Sequence, residues 1–120
     1  SAQTIEETIE YCLGLDYLND ARLARDWISW RLREKPAGKL LIRFELRERG
    51  IDEATIEAAL VEQYNDQNEL LYAVTAARKK SQAYRTLDRE IAERRMRAFL
   101  SRRGFSYSIV GEAIDQIFAN

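Results

Sequence analysis

The hydrophobic positions of this chain recur at intervals of three and four residues almost from end to end. Ile5, Ile9 and Leu13 begin the pattern, and no alternating β-branched run that would indicate a strand stands out. The spacing predicts helices at about residues 4–13, 20–35, 39–49, 52–64, 66–78, 87–103 and 106–117. We therefore predict an all-α fold.

Glycine and proline mark the ends of the predicted helices. Gly14 is expected to end the first helix, and Pro36, which lacks an amide donor, interrupts the next one. Gly50 and Gly104 fit the left-handed position that closes a helix. Capping residues are predicted at five helix starts: Thr4 with Glu7, Asn19 or Asp20, Asp52, Asp66 with Glu69, and Ser106.

One segment of the chain occurs twice. Residues 46–60 and 100–114 are related by a constant offset of 54 residues (104 − 50), which pairs Gly50 with Gly104. The matched hydrophobic pairs are Leu46/Leu100, Ile51/Phe105, Ile56/Val110, Ala59/Ala113 and Leu60/Ile114. Such repetition is typical of helical arrays in which neighbouring modules stabilise each other. We expect tandem three-helix repeats in an elongated, right-to-left stacked array of short helices.

The predicted array has three parts. Residues 1–19 would be the last helix of an incomplete first repeat followed by a connector, and residues 20–65 and 66–120 would each form a three-helix repeat. Because the first helix has no partners before it, we expect the chain to be a fragment lacking the first two helices of an earlier repeat.

Composition restricts the chemistry of the chain. It has no His and only one Cys, so we predict no catalytic residues, no metal site and no cofactor. Cys12 lies among hydrophobic residues and is expected to pack in the core. No apolar run approaches the length of a membrane span. We predict a cytoplasmic, monomeric protein that is not an enzyme and has no membrane partner.

Charge alternates along the chain in blocks, although the net charge is only −1. Residues 21–50 carry nine bases and four acids, and residues 51–70 carry six acids and no base. Residues 71–103 carry ten bases and three acids, whereas residues 104–120 carry two acids. Exposed ion pairs contribute little stability, so this segregation favours a binding role for the basic blocks.

Arginine dominates the candidate binding residues, and its planar fork suits carboxylates and phosphates. Lys39, Arg43 and Arg47 form a stripe along one helix, because they are spaced four residues apart. The full set of candidate partner-binding residues is Arg22, Arg25, Arg31, Lys39, Arg43, Arg47, Arg94, Arg97, Arg102 and Arg103. The alternative is a solvated helix face in which acids such as Glu45 or Glu90 pair with these bases.

Four motifs in order resemble the bacterial RecX family. They are Tyr17-Leu18-Asn19-Asp20-x-Arg22-Leu23-Ala24, Lys35-Pro36-x-Gly38-Lys39, Glu45-Leu46-Arg47-x-x-Gly50-Ile51 and Phe99-Leu100-x-Arg102-Arg103-Gly104-Phe105. The resemblance implies a regulator, not an enzyme, that binds in the helical groove of the RecA–DNA filament. It further implies suppression of RecA ATPase, strand exchange and coprotease activity in DNA repair and the SOS response, with weak binding to single- or double-stranded DNA.

Direct DNA binding through phosphate contacts is the alternative function. Gly50 and Gly104 each end one helix just before another, as in a helix–turn–helix. The helices that follow these glycines carry acids and no bases, which does not suit a recognition helix in a DNA groove.

Overall fold

The computed structural model describes residues 2–119; before residue 18 it describes the side chains of residues 7, 8, 11 and 14 alone. Its six helices are α1 (Ala2–Glu34), α2 (Lys39–Glu48), α3 (Glu53–Gln63), α4 (Asp66–Tyr84), α5 (Arg89–Arg102) and α6 (Tyr107–Ile117). No strand occurs between residues 2 and 119, so the all-α prediction is confirmed. The predicted packing of Cys12 and the predicted cap at Thr4 fall on side chains outside this description.

Each three-helix repeat has a hydrophobic core of its own. The first core joins the C-terminal part of α1 to α2 and α3 through Ile28, Ile42 and Ile56, all fully buried. The second joins α4, α5 and α6, with Met96 and Leu100 at its centre. Every hydrophobic pair matched by the sequence repeat is buried in both copies. The tandem three-helix arrangement is therefore confirmed.

The two glycines of the repeat end α2 and α5 with the same geometry. Gly50 has a φ of 80° and Gly104 a φ of 90°, in the left-handed region. The amide of Gly50 donates to the Arg47 carbonyl (2.9 Å), and that of Ile51 donates to the Leu46 carbonyl (3.1 Å). Gly104 and the residue after it make the equivalent bonds in the second repeat. This is the hydrogen-bond pattern of a Schellman cap.

The predicted break at Gly14 is absent, because α1 continues through residues 14–19 and has 33 residues. A glycine inside a helix costs only about 1 kcal/mol relative to alanine, and no proline or second turn residue reinforces the break. The array therefore does not consist of short helices throughout, and the expected connector is helical.

Helix α4 differs from its prediction at both ends. Its N-cap is Asn65, whose side chain accepts the amide of Asn68 (2.8 Å), so the capping box predicted at Asp66 is wrong. The helix also continues past Lys79 to Tyr84, through the expected connector, and Tyr84 packs against the second core.

Backbone contact between two glycines joins the repeats, at a site that we call the inter-repeat junction (residues 36–41 and 103–105). The amide of Gly38 donates to the Arg103 carbonyl (2.7 Å), and that of Leu40 donates to the Gly104 carbonyl (3.1 Å). A Cβ on Gly38 would lie 2.2 Å from the Gly104 oxygen. Only glycine permits so close an approach, whereas Gly50, the repeat equivalent of Gly104, has nothing within 4 Å of such a Cβ.

Side chains reinforce the junction from both repeats. Glu69 of α4 is 4% exposed and accepts the backbone amide of Lys39, so it caps α2 of the neighbouring repeat (2.8 Å). Tyr64 donates its hydroxyl proton to the Ala37 carbonyl (2.8 Å). The resulting body measures 73 × 21 × 21 Å with a radius of gyration of 19.1 Å. A compact domain of this length would have a radius of gyration of about 14 Å, so the array is elongated, as predicted.

Candidate functional site: two basic surfaces

The basic stripe of α2 is neutralised by acids within the first repeat and at its border. Arg43 forms a bidentate pair with Glu57, with Nε–Oε1 at 2.6 Å and Nη2–Oε2 at 3.2 Å. Arg47 pairs in the same way with Glu53, one turn earlier on α3, and its hydrogen bond lowers the pKa of the Glu53 carboxyl. Lys39 Nζ lies 3.2 Å from Asp66. These three predicted binding residues therefore already have acidic partners.

Arg31 also has an acidic partner inside the fold. Its guanidinium is 13% exposed and binds the Glu45 carboxylate, which also accepts the indole proton of Trp27 (3.0 Å). Burial alone would raise the pKa of Glu45, but the hydrogen bonds from Arg31 and Trp27 lower it below its ordinary value. Arg31 further donates to the Lys35 carbonyl (3.3 Å), which ties it to the junction.

Helix α5 retains the unpaired arginines. Arg94, Arg97 and Arg102 are exposed, and none of them forms an ion pair within the described part of the chain. The repeat explains the difference, since Arg97 corresponds to Arg43 but Gly111 stands where Glu57 stands in the first repeat. The acid that would neutralise Arg97 is therefore missing from α6.

The remaining predicted residues have different surroundings. Arg22 and Arg25 are exposed on α1 and likewise form no ion pair among the described side chains. Arg103 is half-buried at the junction, where its Nη1 donates to the Pro36 carbonyl (2.9 Å). Burial lowers the pKa of Arg103, and the nearby charge of Arg31 lowers it further. The structure thus separates the predicted set into a paired group around α2 and an unpaired group on α5 and α1.

A groove of about 600 Å³ runs between the end of α1, α4 and the end of α5; we call it the inter-repeat groove. Its uncharged part comprises Leu32, Pro36, Leu71, Tyr72, Thr75, Ala76 and Phe99. Its charged part comprises Arg33, Glu34, Lys35, Lys79, Lys80 and Arg103, which is five bases and one acid. Of these bases, only Arg103 was predicted from the sequence.

Sequence reasoning missed the groove because the junction creates it. The contact between Gly38 and Gly104 brings Arg33 and Lys35 of the first repeat beside Lys79 and Lys80 of the second. The adjacent Lys79 and Lys80 indicate a basic surface in the sequence, but they lie in the polar stretch that is predicted to be a connector.

The aromatic ring of Phe99 lies near two cations in this groove. Lys80 Nζ is 5.2 Å and Arg103 Cζ is 5.0 Å from the ring centroid, both within the range of cation–π attraction. Tyr72 is anchored by an edge-to-face contact with Tyr64, with 5.8 Å between the ring centroids. The floor of the groove is therefore held in place by both repeats.

No helix among the described residues is both long and apolar enough to cross a membrane. No cluster of three or more His, Cys, Asp or Glu side chains is arranged to hold a metal ion in that part of the chain.

Comparison with known proteins identifies relatives along nearly the whole chain. The family model for the second three-helix domain of RecX matches residues 19–60, and the model for the third three-helix domain matches residues 68–114. The regulatory protein RecX of Chlorobium limicola is 31% identical over 97% of this chain and 70% of its own length. That of Chlorobium phaeobacteroides is 32% identical over 98% and 75%, respectively.

A solved structure agrees with this result. The crystal structure of RecX from Lactobacillus salivarius matches 98% of this chain and 75% of its own chain with a TM-score of 0.80 and 26% sequence identity. The arrangement of the six helices in this chain therefore matches a known fold.

Proposed function

We propose a function from the family of this chain, which belongs to the RecX family. In our proposal the chain is a non-enzymatic regulator that binds the RecA recombinase–DNA filament in the helical groove of the filament. In this proposal it modulates, and usually inhibits, RecA ATPase, strand exchange and coprotease activity in DNA repair and the SOS response. It acts in the cytoplasm as a monomer and needs no cofactor. Its partners are the RecA filament and, weakly, the DNA within it.

The unpaired arginines of the second repeat are the observation that supports this proposal most directly. Arg97 has lost the acidic partner that its equivalent Arg43 retains, so its charge is available to an external carboxylate or phosphate. Arg94 and Arg102 lie on the same helix and are also exposed. An elongated body presents such groups along its length, which suits a partner that is itself a filament.

Direct DNA binding remains the alternative function. It would also use the arginines of α5, but α3 and α6, the helices that follow the capping glycines, carry no base, and α6 exposes the acids Glu112 and Asp115, which are unpaired within the described part of the chain. Acids in that position repel phosphate, so we favour the filament as the partner.

The test compares charge reversals in RecA ATPase assays. We expect Arg94→Glu with Arg97→Glu to raise the concentration needed for half-maximal inhibition about thirtyfold, since each of the two lost exposed contacts contributes roughly 1 kcal/mol. Arg85→Glu, an exposed reversal outside the predicted set, is the matched control. Unchanged inhibition by the double variant, with an unchanged helical melt, would contradict the assignment of α5.

DNA binding is tested separately by fluorescence anisotropy with labelled oligonucleotides in the absence of RecA. Tight binding that weakens steeply between two salt concentrations would favour the alternative function, because phosphate contacts release counterions. Weak binding under both conditions is the outcome that the filament proposal predicts.

A further inference from the structure

The inter-repeat groove joins an apolar floor to a basic rim. Leu71, which is 61% exposed, and half-buried Phe99 supply hydrophobic surface at the groove, while Lys79 and Lys80 follow on the same wall. The single acid of the groove, Glu34, is exposed and lies 3.5 Å from Arg33, its neighbour in sequence. An exposed leucine beside several cations is a surface for a ligand that is both apolar and acidic.

The junction preforms the groove. Its two walls come from different repeats, and the backbone bonds at Gly38 and Leu40 fix them relative to each other. The cations over Phe99 and the ring contact of Tyr72 hold the floor. A ligand therefore does not have to order the site on binding, which favours affinity.

The geometry favours a peptide over a nucleic acid. Bases bind single-strand grooves by stacking on free aromatic faces, but Lys80 and Arg103 already occupy positions around the Phe99 ring. Tyr72 is half-buried against Tyr64, which leaves aliphatic Leu71 as the most exposed hydrophobic residue of the groove lining. The bases of the groove can pair with phosphate or carboxylate, but a phosphate backbone has no hydrophobic side chain to cover this aliphatic surface.

We propose that the inter-repeat groove binds an acidic peptide segment of a protein partner, with an aliphatic or aromatic side chain as its anchor. The anchor covers Leu71 and the edge of Phe99, and flanking carboxylates pair with Lys79, Lys80 and Lys35. The groove proposal adds a binding site to the proposed function. It rests on that function only for the identity of the partner, which would be a protein component of the filament.

The probe is a short fluorescein-labelled peptide of alternating glutamate and leucine, followed by anisotropy. We expect saturable binding to the intact chain, weakened about tenfold by Lys79→Glu and about fivefold by Leu71→Ser, in line with loss of a charge pair and an anchor contact. Both positions are exposed, and circular dichroism melts would verify that the variants fold. Arg78→Glu makes the same charge change on the neighbouring residue of α4, outside the groove lining, and should change binding less than twofold.

Control ligands separate charge from hydrophobic anchoring. Replacement of leucine by serine in the peptide, or of glutamate by glutamine, should each weaken binding. Absence of binding by the unmodified peptide, or an equal effect of Arg78→Glu and Lys79→Glu, would overturn the proposal. Tighter binding of labelled polythymidine than of the peptide, lost in Lys79→Glu, would assign the groove to nucleic acid instead.

The two proposals fail in distinguishable ways. Arg94→Glu with Arg97→Glu should weaken RecA inhibition and leave peptide binding intact. Peptide binding by a chain that does not inhibit RecA would support the groove and contradict the filament proposal. RecA inhibition by a chain that does not bind the peptide would support the filament proposal and contradict the groove proposal.

Discussion

Three glycine-to-alanine substitutions isolate the energy that holds the repeats together. Gly50 and Gly104 share a left-handed backbone, but only Gly104 lies in the inter-repeat junction. Gly38 has an ordinary φ of −78° and lies in the junction. Gly50→Ala therefore introduces backbone strain alone, Gly38→Ala introduces a steric clash alone, and Gly104→Ala introduces both.

The structure sets the expected size of each effect on the free energy of unfolding. A non-glycine residue in the left-handed region costs about 1–2 kcal/mol, which is the loss expected for Gly50→Ala. The new Cβ of Gly104→Ala would lie 2.3 Å from Leu41 Cβ and 2.5 Å from Leu41 N, so backbone must move. Overpacking costs about 1–3 kcal/mol and each weakened junction hydrogen bond about 0.5–1.5 kcal/mol. We therefore expect Gly104→Ala to cost at least about 3 kcal/mol, with Gly38→Ala at about 2–4 kcal/mol.

Urea denaturation followed by far-UV circular dichroism would measure these differences. Weaker coupling between repeats should also broaden the transition of Gly38→Ala and Gly104→Ala but not that of Gly50→Ala, because arrays unfold cooperatively only through their interfaces. The reasoning is refuted if Gly104→Ala destabilises the chain no more than Gly50→Ala, within about 0.5 kcal/mol.

Three further substitutions test individual contacts. Glu45→Gln should lower the free energy of unfolding by about 1–3 kcal/mol at neutral pH, because Arg31 loses its charged partner. Folding lowers the pKa of Glu45, so this stabilisation is present above the pKa of the unfolded state and is lost as the pH falls through the pKa of the folded state. The difference in stability between wild type and variant should therefore shrink in melts at acid pH. Tyr64→Phe should cost about 1 kcal/mol in urea melts by removing the buried hydrogen bond to Ala37, and no loss would indicate that this bond does not stabilise the fold. Gly14→Ala should raise stability by up to about 1 kcal/mol if α1 is continuous, whereas destabilisation would indicate a turn at this position.

Local sequence signals predicted the local geometry of this fold. Asp52 and Ser106 cap α3 and α6 as expected, and Gly50 and Gly104 end α2 and α5. These features depend on residues within one or two turns, so a pattern of neighbours suffices to find them. The burial of the matched hydrophobic pairs follows from the same periodicity.

Contacts between distant segments could not be predicted in this way. Glu69 has the spacing of a capping box with Asp66, yet its carboxylate caps α2 of the other repeat, 30 residues earlier. The sequence places Lys79 in a predicted polar connector, whereas in the structure it lines the same groove as Lys35. The sequence therefore predicts the basic residues of α2 and α5 but not the basic inter-repeat groove, because that groove forms only where the two repeats meet.

The sequence repeat also indicates which arginines have an acidic partner, and the basic stripes alone do not. Arg43 and Arg97 are equivalent positions, but their partners across the next helix are Glu57 and Gly111. Once α3 and α6 are known to pack in the same way, the first arginine must be neutralised and the second cannot be. The division between the two equivalent helices follows: α2 uses Arg43 and Arg47 to hold its own repeat together, whereas α5 presents Arg94, Arg97 and Arg102 to solvent. A change that restored the missing acid, Gly111→Glu, should therefore pair Arg97 internally and weaken the proposed RecA inhibition without removing any arginine. Since any replacement of a glycine inside a helix raises stability, the uncharged Gly111→Gln is the reference. Unaltered inhibition by Gly111→Glu, in a variant more stable than Gly111→Gln, would contradict this division.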